Sequence, residues 1–246
     1  MKKRLDMLVV ERGLETSRSR AKALIMCGSI FVNNLPAHKP GELFYHDVLI
    51  ECKKTPLRYV SRGGLKLEKG LQTFAINLEG KTCMDIGCST GGFSDCALQH
   101  GAKEILAIDV GSGQFDPTLR KDPRIHLKEK INARYLQQRD LLGLKIDFVM
   151  VDVSFISLTK IIPAISKLVR ADCEFLCLVK PQFELEKAEV GKNGIVKDPL
   201  LHEKVTKKIL LFVQQNNFAV AGWTTSPITG SKGNAEYLIY FKSRPS

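Results

Sequence analysis

From residue 81 onward, short apolar runs alternate with helical stretches, and that alternation leaves few architectures open. Strand candidates fall at 82–86, 104–110, 148–153 and 174–179, with helical stretches at 92–99, 158–168 and 200–215 between them. A strand–helix–strand rhythm of this kind builds a mostly parallel sheet covered on both faces. Two last β runs, 218–225 and 237–242, have no helix between them. The final strand is therefore expected to run against its neighbours, closing a seven-stranded α/β sheet. The polar segment 182–198, with Gly191 and Gly194, is the longest expected loop. Loops in that position act as lids.

The first strand leads into Asp85-Ile86-Gly87-Cys88-Ser89-Thr90-Gly91-Gly92-Phe93. Glycines at a strand-to-helix turn let backbone approach a ligand closely. A dinucleotide site favours G-x-G-x-x-G, which seats a pyrophosphate on a helix N-terminus. Here the order is G-x-x-x-G-G with a carboxylate ahead of it, which suits a cationic ligand. S-adenosylmethionine, with a sulfonium and an amino group, is such a ligand. The expected contacts are Asp85, Gly87, Ser89, Gly91, Gly92 and Phe93, with Asp109 at the end of the next strand for the ribose hydroxyls. Asn132 is a candidate for the adenine and Asp152 for the methyl donor. The plain alternative is a glycine turn with two structural acids. A reversed last strand beside such a turn is the ending of a Rossmann-like class I methyltransferase fold.

Four polar residues far apart in sequence converge under this reading. Asp152 ends the fourth strand candidate and Lys180 the fifth, and ligands of doubly wound sheets bind beyond those ends. Glu236 begins the last strand, whose reversal brings its start to the same edge. Lys66 lies in the helical stretch 65–74, ahead of the first strand. A sugar hydroxyl is a poor nucleophile that must lose its proton as a methyl group arrives. Lys180 can take that proton if burial, Lys66 and a sulfonium favour its neutral form, although Asp152 and Glu236 favour the charged one. Alternatively, a charged Lys180 stabilises the developing alkoxide. Asp152 would orient Lys180 and the methyl donor, while Lys66 and Glu236 would position the ribose. Taken singly, each of the four reads as a member of a surface ion pair.

Residues 1–60 follow a different logic from residues 61–246. Leu5, Leu8 and Val9 recur at helical spacing before Gly13, and Thr16 or Ser17 can cap a second helix running from Arg18 to Cys27. Short β stretches at 30–32 and 47–52 flank the turn-prone Asn33-Asn34. Between positions 2 and 22, seven basic residues (Lys2, Lys3, Arg4, Arg12, Arg18, Arg20, Lys22) stand against three acids (Asp6, Glu11, Glu15). Arg4, Arg18, Arg20 and Lys22 are the candidates for gripping a phosphate backbone. A solvated charged face is the bland reading.

The whole chain of 246 residues carries a formal charge of +11 and is 44% apolar. That is enough material for one full core plus a small satellite domain. The charge favours a polyanionic partner. No run approaches the ~18 apolar residues that span a bilayer, and no signal-type stretch follows the Met1-Lys2-Lys3-Arg4 start. A soluble, cytoplasmic protein without a membrane partner is expected. Seven scattered cysteines without a C-x-x-C pair, and five scattered histidines, suggest neither a disulfide framework nor a metal site. Oligomeric state is not legible.

Two resemblances sharpen these expectations. Arg4-Leu5-Asp6, Ser17 to Ile25 and Gly28 to Asn33 resemble the S4 RNA-binding domain, which implies an α+β unit whose basic helix face docks on structured RNA. Ser61 to Leu67, Asp85 to Phe93, Asp152 to Leu158, Val179 to Glu184 and Gly230 to Glu236 resemble the TlyA family, which joins an S4 domain to an FtsJ-like (RrmJ-type) methyltransferase domain. The family's Lys-Asp-Lys-Glu tetrad falls on Lys66, Asp152, Lys180 and Glu236. The resemblance implies S-adenosylmethionine-dependent 2′-O-methylation of cytidine in ribosomal RNA, free or in a ribosomal subunit. Members also carry the name haemolysin. A haemolysin should show a long amphipathic or apolar insertion segment, and none is evident. An RNA-binding module on an inactive methyltransferase-like scaffold is the other alternative.

Overall fold

The computed structural model describes residues 2–26, 28–53, 58–230 and 233–243. Cys27, the expected end of the second helix, and Ser231 and Lys232 of the 230–236 stretch lie outside them, as do the side chains of Ser19 and Ala23. The chain forms two compact units, Met1–Arg58 and Tyr59–Ser246.

The first unit contains β1 (Lys2–Arg4), α1 (Leu5–Glu11), α2 (Arg18–Met26), β2 (Ile30–Val32), β3 (Leu35–Pro36), β4 (Leu43–Tyr45) and β5 (Ile50–Cys52). Strands β1 and β4 pair antiparallel, and β3, β2 and β5 form a second small sheet. Asn33 and Asn34 both take positive φ, 48° and 66°, which makes the tight turn between β2 and β3. Leu5, Leu8 and Val9 of α1 pack with Ala21 and Ile25 of α2 and with Ile30, Val32 and Ile50 of the sheet. One charge is buried among these elements. Asp6 is fully buried, and accepts from Arg4 Nε at 3.0 Å and from Arg18 at 3.1 Å.

The second unit opens with α3 (Gly63–Thr73) and continues through β6 (Thr82–Ile86), α4 (Gly92–Gln99), β7 (Glu104–Ile108), β8 (Ile125–Lys128), β9 (Phe148–Val151), α5 (Ile162–Ser166), β10 (Glu174–Val179), α6 (Pro181–Glu184), α7 (Pro199–Gln215), β11 (Phe218–Thr225) and β12 (Tyr237–Ser243). The strand order is β11-β12-β10-β9-β6-β7-β8. Strand β12 is antiparallel to both neighbours, while the β10–β9–β6–β7–β8 ladder is parallel. This is the expected seven-stranded class I methyltransferase topology with a reversed last strand. Successive residues of each strand feed opposite faces. Met84, Ile86, Phe175, Cys177 and Val179 join one core layer, whereas Cys83, Leu176 and Leu178 join the other.

The helix expected over 158–168 is broken. A 3-10 turn at Leu158–Lys160 precedes α5, because Pro163 supplies no N–H to continue a helix and is tolerated only in its first turn. The strands expected to run to 110 and 153 stop at Ile108 and Val151, leaving Asp109 and Asp152 just past the paired region.

Close packing of α3 on its approach segment makes Gly64 sensitive. A Cβ there would lie 2.3 Å from Cγ of the buried Tyr59. Gly64→Ala is expected to cost about 2 kcal/mol through overpacking, read as a lower urea midpoint with an unchanged m-value. In the first unit, the Arg4 guanidinium holds the Asp6 carboxyl below its ordinary range against the opposing effect of burial, and Arg18 adds to it. A depressed acid stabilises the fold above its unfolded value, near ~4, and loses that contribution as pH falls through the folded value. Hydrogen exchange in α1 and α2 of the full chain should therefore show wild type better protected than Asp6→Asn at neutral pH, with the gap closing below about pH 4. A gap that persists into strong acid would show that the ion pairs do not stabilise this unit.

Candidate active site

Sheet register assembles the site. Val151 pairs with Cys177 and with Ile86, and Val179 pairs with Tyr237. The next residue beyond each paired end is Gly87 on β6, Asp152 on β9, Lys180 on β10 and, because β12 is reversed, Glu236 just before it. Asp109 holds the same place beyond β7. Lys66 arrives from the first turn of α3 and is buried.

All four tetrad residues meet. Lys66 Nζ donates to Glu236 Oε2 at 2.6 Å and lies 3.8 Å from Asp152 Oδ2. Lys180 Nζ lies 2.5 Å from Asp152 Oδ1 and donates to Ser154 Oγ at 3.0 Å. Asp152 thus divides its two oxygens between two lysines. Glu236 is buried, and its Oε1 lies 2.5 Å from where a Cβ on Gly230 would be, so a larger residue there would displace the carboxylate. Asn234 steadies the same segment. Its side chain accepts from Val196 N at 2.9 Å and donates to Gly194 O at 2.7 Å, tying the 186–198 loop to the residues before β12.

A cavity of about 500 Å³ opens beside the tetrad, within the range of small-molecule sites. Among the expected cofactor contacts, Gly87, Ser89, Asp109, Asn132 and Asp152 line it. Asp109 accepts from Ser89 N at 2.8 Å and Gly111 N at 2.7 Å, so its carboxylate is fixed at the cavity wall. Asn132 Oδ1 accepts from Arg134 N at 3.1 Å, which leaves its amide group as the donor end. Gly87 has φ +81°, and a Cβ there would lie 2.5 Å from the Asp152 carbonyl oxygen.

The other expected contacts have different surroundings. Asp85 is fully buried and accepts from Ser94 Oγ at 2.6 Å, while its Oδ1 has no hydrogen-bond partner. Burial pushes its carboxyl up to about 7. Asp85 does not line the cavity, so it is an inner support with an unspent acceptor rather than a wall residue. Gly91 and Gly92 are small for the protein's own sake: added Cβ atoms would meet Leu119 at 2.7 Å and Ser61 Oγ at 2.3 Å. Phe93, 3% exposed, turns into the core with Leu67 and Phe115.

Several cavity residues were not expected from the sequence. Ser154, Phe155 and Gln114 lie on the wall. Phe155 takes a left-handed φ of 65°, is 90% exposed and packs its ring on Phe183 at 5.0 Å. Its exposure and left-handed backbone are visible only in the coordinates. In the first unit, Arg20 and Lys22 are exposed, with Arg20 reaching Thr16 at 3.3 Å. Arg4 and Arg18, by contrast, are committed to Asp6.

Comparison with known proteins agrees with this architecture. Residues 59–243 match the FtsJ-like methyltransferase family and residues 3–43 the S4 domain. The chain is 42% identical over 239 residues to Hemolysin A of Brachyspira hyodysenteriae, covering 97% of this chain and 99% of that one. It is 38% identical over 242 residues to the 16S/23S rRNA (cytidine-2′-O)-methyltransferase TlyA of Mycobacterium tuberculosis, covering 98% and 90%. A solved structure, "Putative hemolysin from Streptococcus thermophilus", aligns with a TM-score of 0.79 at 41% identity, covering all of this chain and 90% of that one. The chain belongs to the TlyA family, in which an S4 domain precedes an FtsJ-like methyltransferase domain.

Proposed function

We propose that this protein transfers a methyl group from S-adenosylmethionine to the ribose 2′-hydroxyl of cytidine in ribosomal RNA. The observation that carries this reading is Asp152 shared between Lys66 and Lys180 at the rim of the cavity. The methyl donor fits the residues present: a carboxylate fixed beyond β7 faces the cavity, and Gly87 lines it while lying close against the Asp152 backbone. S-adenosylmethionine supplies a methyl group on a sulfonium, which departs with its bonding pair returned to sulfur.

The protein's own groups account for the rest. Two lysines and two carboxylates sum to no net charge, so a further positive charge in the cavity favours release of a proton from one lysine. Lys180, bonded to the wall residue Ser154, is the one to release it, and so becomes the base that takes the ribose proton. Lys66 stays charged against Glu236 and Asp152, and that pair positions the sugar. Phe155 offers a ring face at the cavity wall for a base turned out of an RNA helix. The relatives named for cytidine 2′-O-methylation support the nucleotide and the position. Against the haemolysin reading, among the described residues no helix is long and apolar enough to cross a membrane.

Two measurements test the proposal. Lys180→Ala is expected to reduce methyl incorporation into ribosomal RNA by at least about 100-fold, the scale of a lost general base, while calorimetry still detects S-adenosylmethionine binding. Substantial activity in that variant removes Lys180 from the chemistry, and no cofactor binding by the wild type, with or without RNA, ends the enzyme reading. In the S4 unit, Arg20→Ala with Lys22→Ala should weaken RNA binding across sequences and flatten the slope of log affinity against log salt by roughly 2, about one per lost phosphate contact. Arg18 is a poor probe, since removing it also strips a partner from buried Asp6. An unchanged slope would remove this face from the contact surface.

A further inference from the structure

We infer that Ser154 is a positioning residue that aims Lys180 at the incoming hydroxyl; this rests on the reading of Lys180 as the base. Two oxygens stand against Lys180 Nζ, and they differ in kind. Asp152 Oδ1 is the closer at 2.5 Å, yet it accepts no aligned hydrogen bond. Its contribution is charge, which attracts Nζ without choosing a direction. Ser154 Oγ, at 3.0 Å, accepts an aligned hydrogen bond. Direction therefore comes from the serine.

The backbone explains how Ser154 comes to be there. Strands β9 and β10 are in parallel register with Val151 against Cys177, and three further residues on each chain bring Ser154 level with Lys180. Asp152 and Ser154 are two apart, the spacing that turns both side chains to one side of an extended chain. Phe155 then breaks away with φ +65°, so Ser154 is the last residue that can follow the lysine. Ser154 and Asp152 also both line the cavity, whereas Lys66, Lys180 and Glu236 do not. They connect the methyl-donor side to the base.

The consequence is stereochemical. Nζ has three positions besides its bond to Cε. The bond to Ser154 fixes one of them, and with that one fixed the other two are set, one on the Asp152 side and one open to the sugar oxygen. In neutral Lys180 an N–H stays on the serine and the lone pair takes the third position. Without the hydroxyl, Nζ is held only by its ion pair with Asp152, and the lone pair is no longer aimed. Removing an acceptor that favours the ammonium also eases loss of its proton, with Asp152, Lys66 and Glu236 still in place around it.

The test uses the full-length protein, ribosomal subunits and S-adenosylmethionine. Ser154→Ala is expected to lower kcat roughly 10-fold, since misaimed reacting groups lose rate rather than binding. KM for RNA and for the methyl donor should stay within about twofold, as expected when ground-state contacts are kept. The acid limb of the pH–rate profile should move to lower pH, and Ser154→Thr, which keeps the hydroxyl, should restore both kcat and the limb. An unchanged kcat overturns the inference, and so does a lower kcat with the limb in place, which assigns Ser154 to packing. The reading of Lys180 fails separately, by activity in Lys180→Ala. An inactive Lys180→Ala beside a fully active Ser154→Ala sinks only the role given to the serine.

Discussion

Strand register is the constraint on which the rest of this protein depends. Gly87, Asp109, Asp152, Lys180 and Glu236 each occupy the first position beyond the last paired residue of their strands. A slip of one residue in any ladder would send that side chain to the opposite face and exchange the two core layers along with it. The apolar cores on either side of the sheet therefore hold the functional geometry. Phe175, Cys177 and Val179 pack in one layer and Leu176 and Leu178 in the other, so β10 cannot shift without burying the wrong set. The placement of these five residues is a by-product of hydrophobic burial.

Within that frame, the tetrad is an electrostatic compromise. Placing two lysines and two carboxylates where Lys66 and Glu236 are buried is costly, and ion pairs of this kind seldom repay their desolvation. The arrangement limits that cost by neutrality and by sharing, since one carboxylate serves both lysines. Removing a single member would strand an unpaired charge, so the four form one unit. Under the function proposed above, their value is a proton acceptor at Lys180 rather than stability.

Much of this was legible in the sequence because it follows from period and position. The reversed last strand and the meeting of Lys66, Asp152, Lys180 and Glu236 follow from apolar alternation and the rule that ligands bind beyond strand ends, although β7 and β9 stop two residues short of the expected ends. What stayed hidden depends on direction and company. Nothing in Gly91-Gly92-Phe93 says that the glycines accommodate Leu119 and Ser61 or that the ring turns inward. Arg4 and Arg18 read as phosphate contacts, and the sequence does not show that both also bond to buried Asp6. Pro163 was visible, but a helical pattern over 158–168 outweighed it. Ser154 and Phe155 lie within the Asp152 to Leu158 stretch that resembles the family, yet the left-handed turn at Phe155 that exposes its ring is not announced by residue type.

The Lys66–Glu236 bond joins residues 170 positions apart, one ahead of the whole sheet and the other on its last strand. During synthesis that contact cannot exist until β12 has been made and inserted between β10 and β11, because the reversed strand fills an interior place in the sheet. Before then, a nascent chain can hold the glycine turn and the cavity wall, yet it lacks the partner that fixes Lys66. The topology thus imposes an order of events: the pocket is drafted early, and the tetrad is complete only with the final strand.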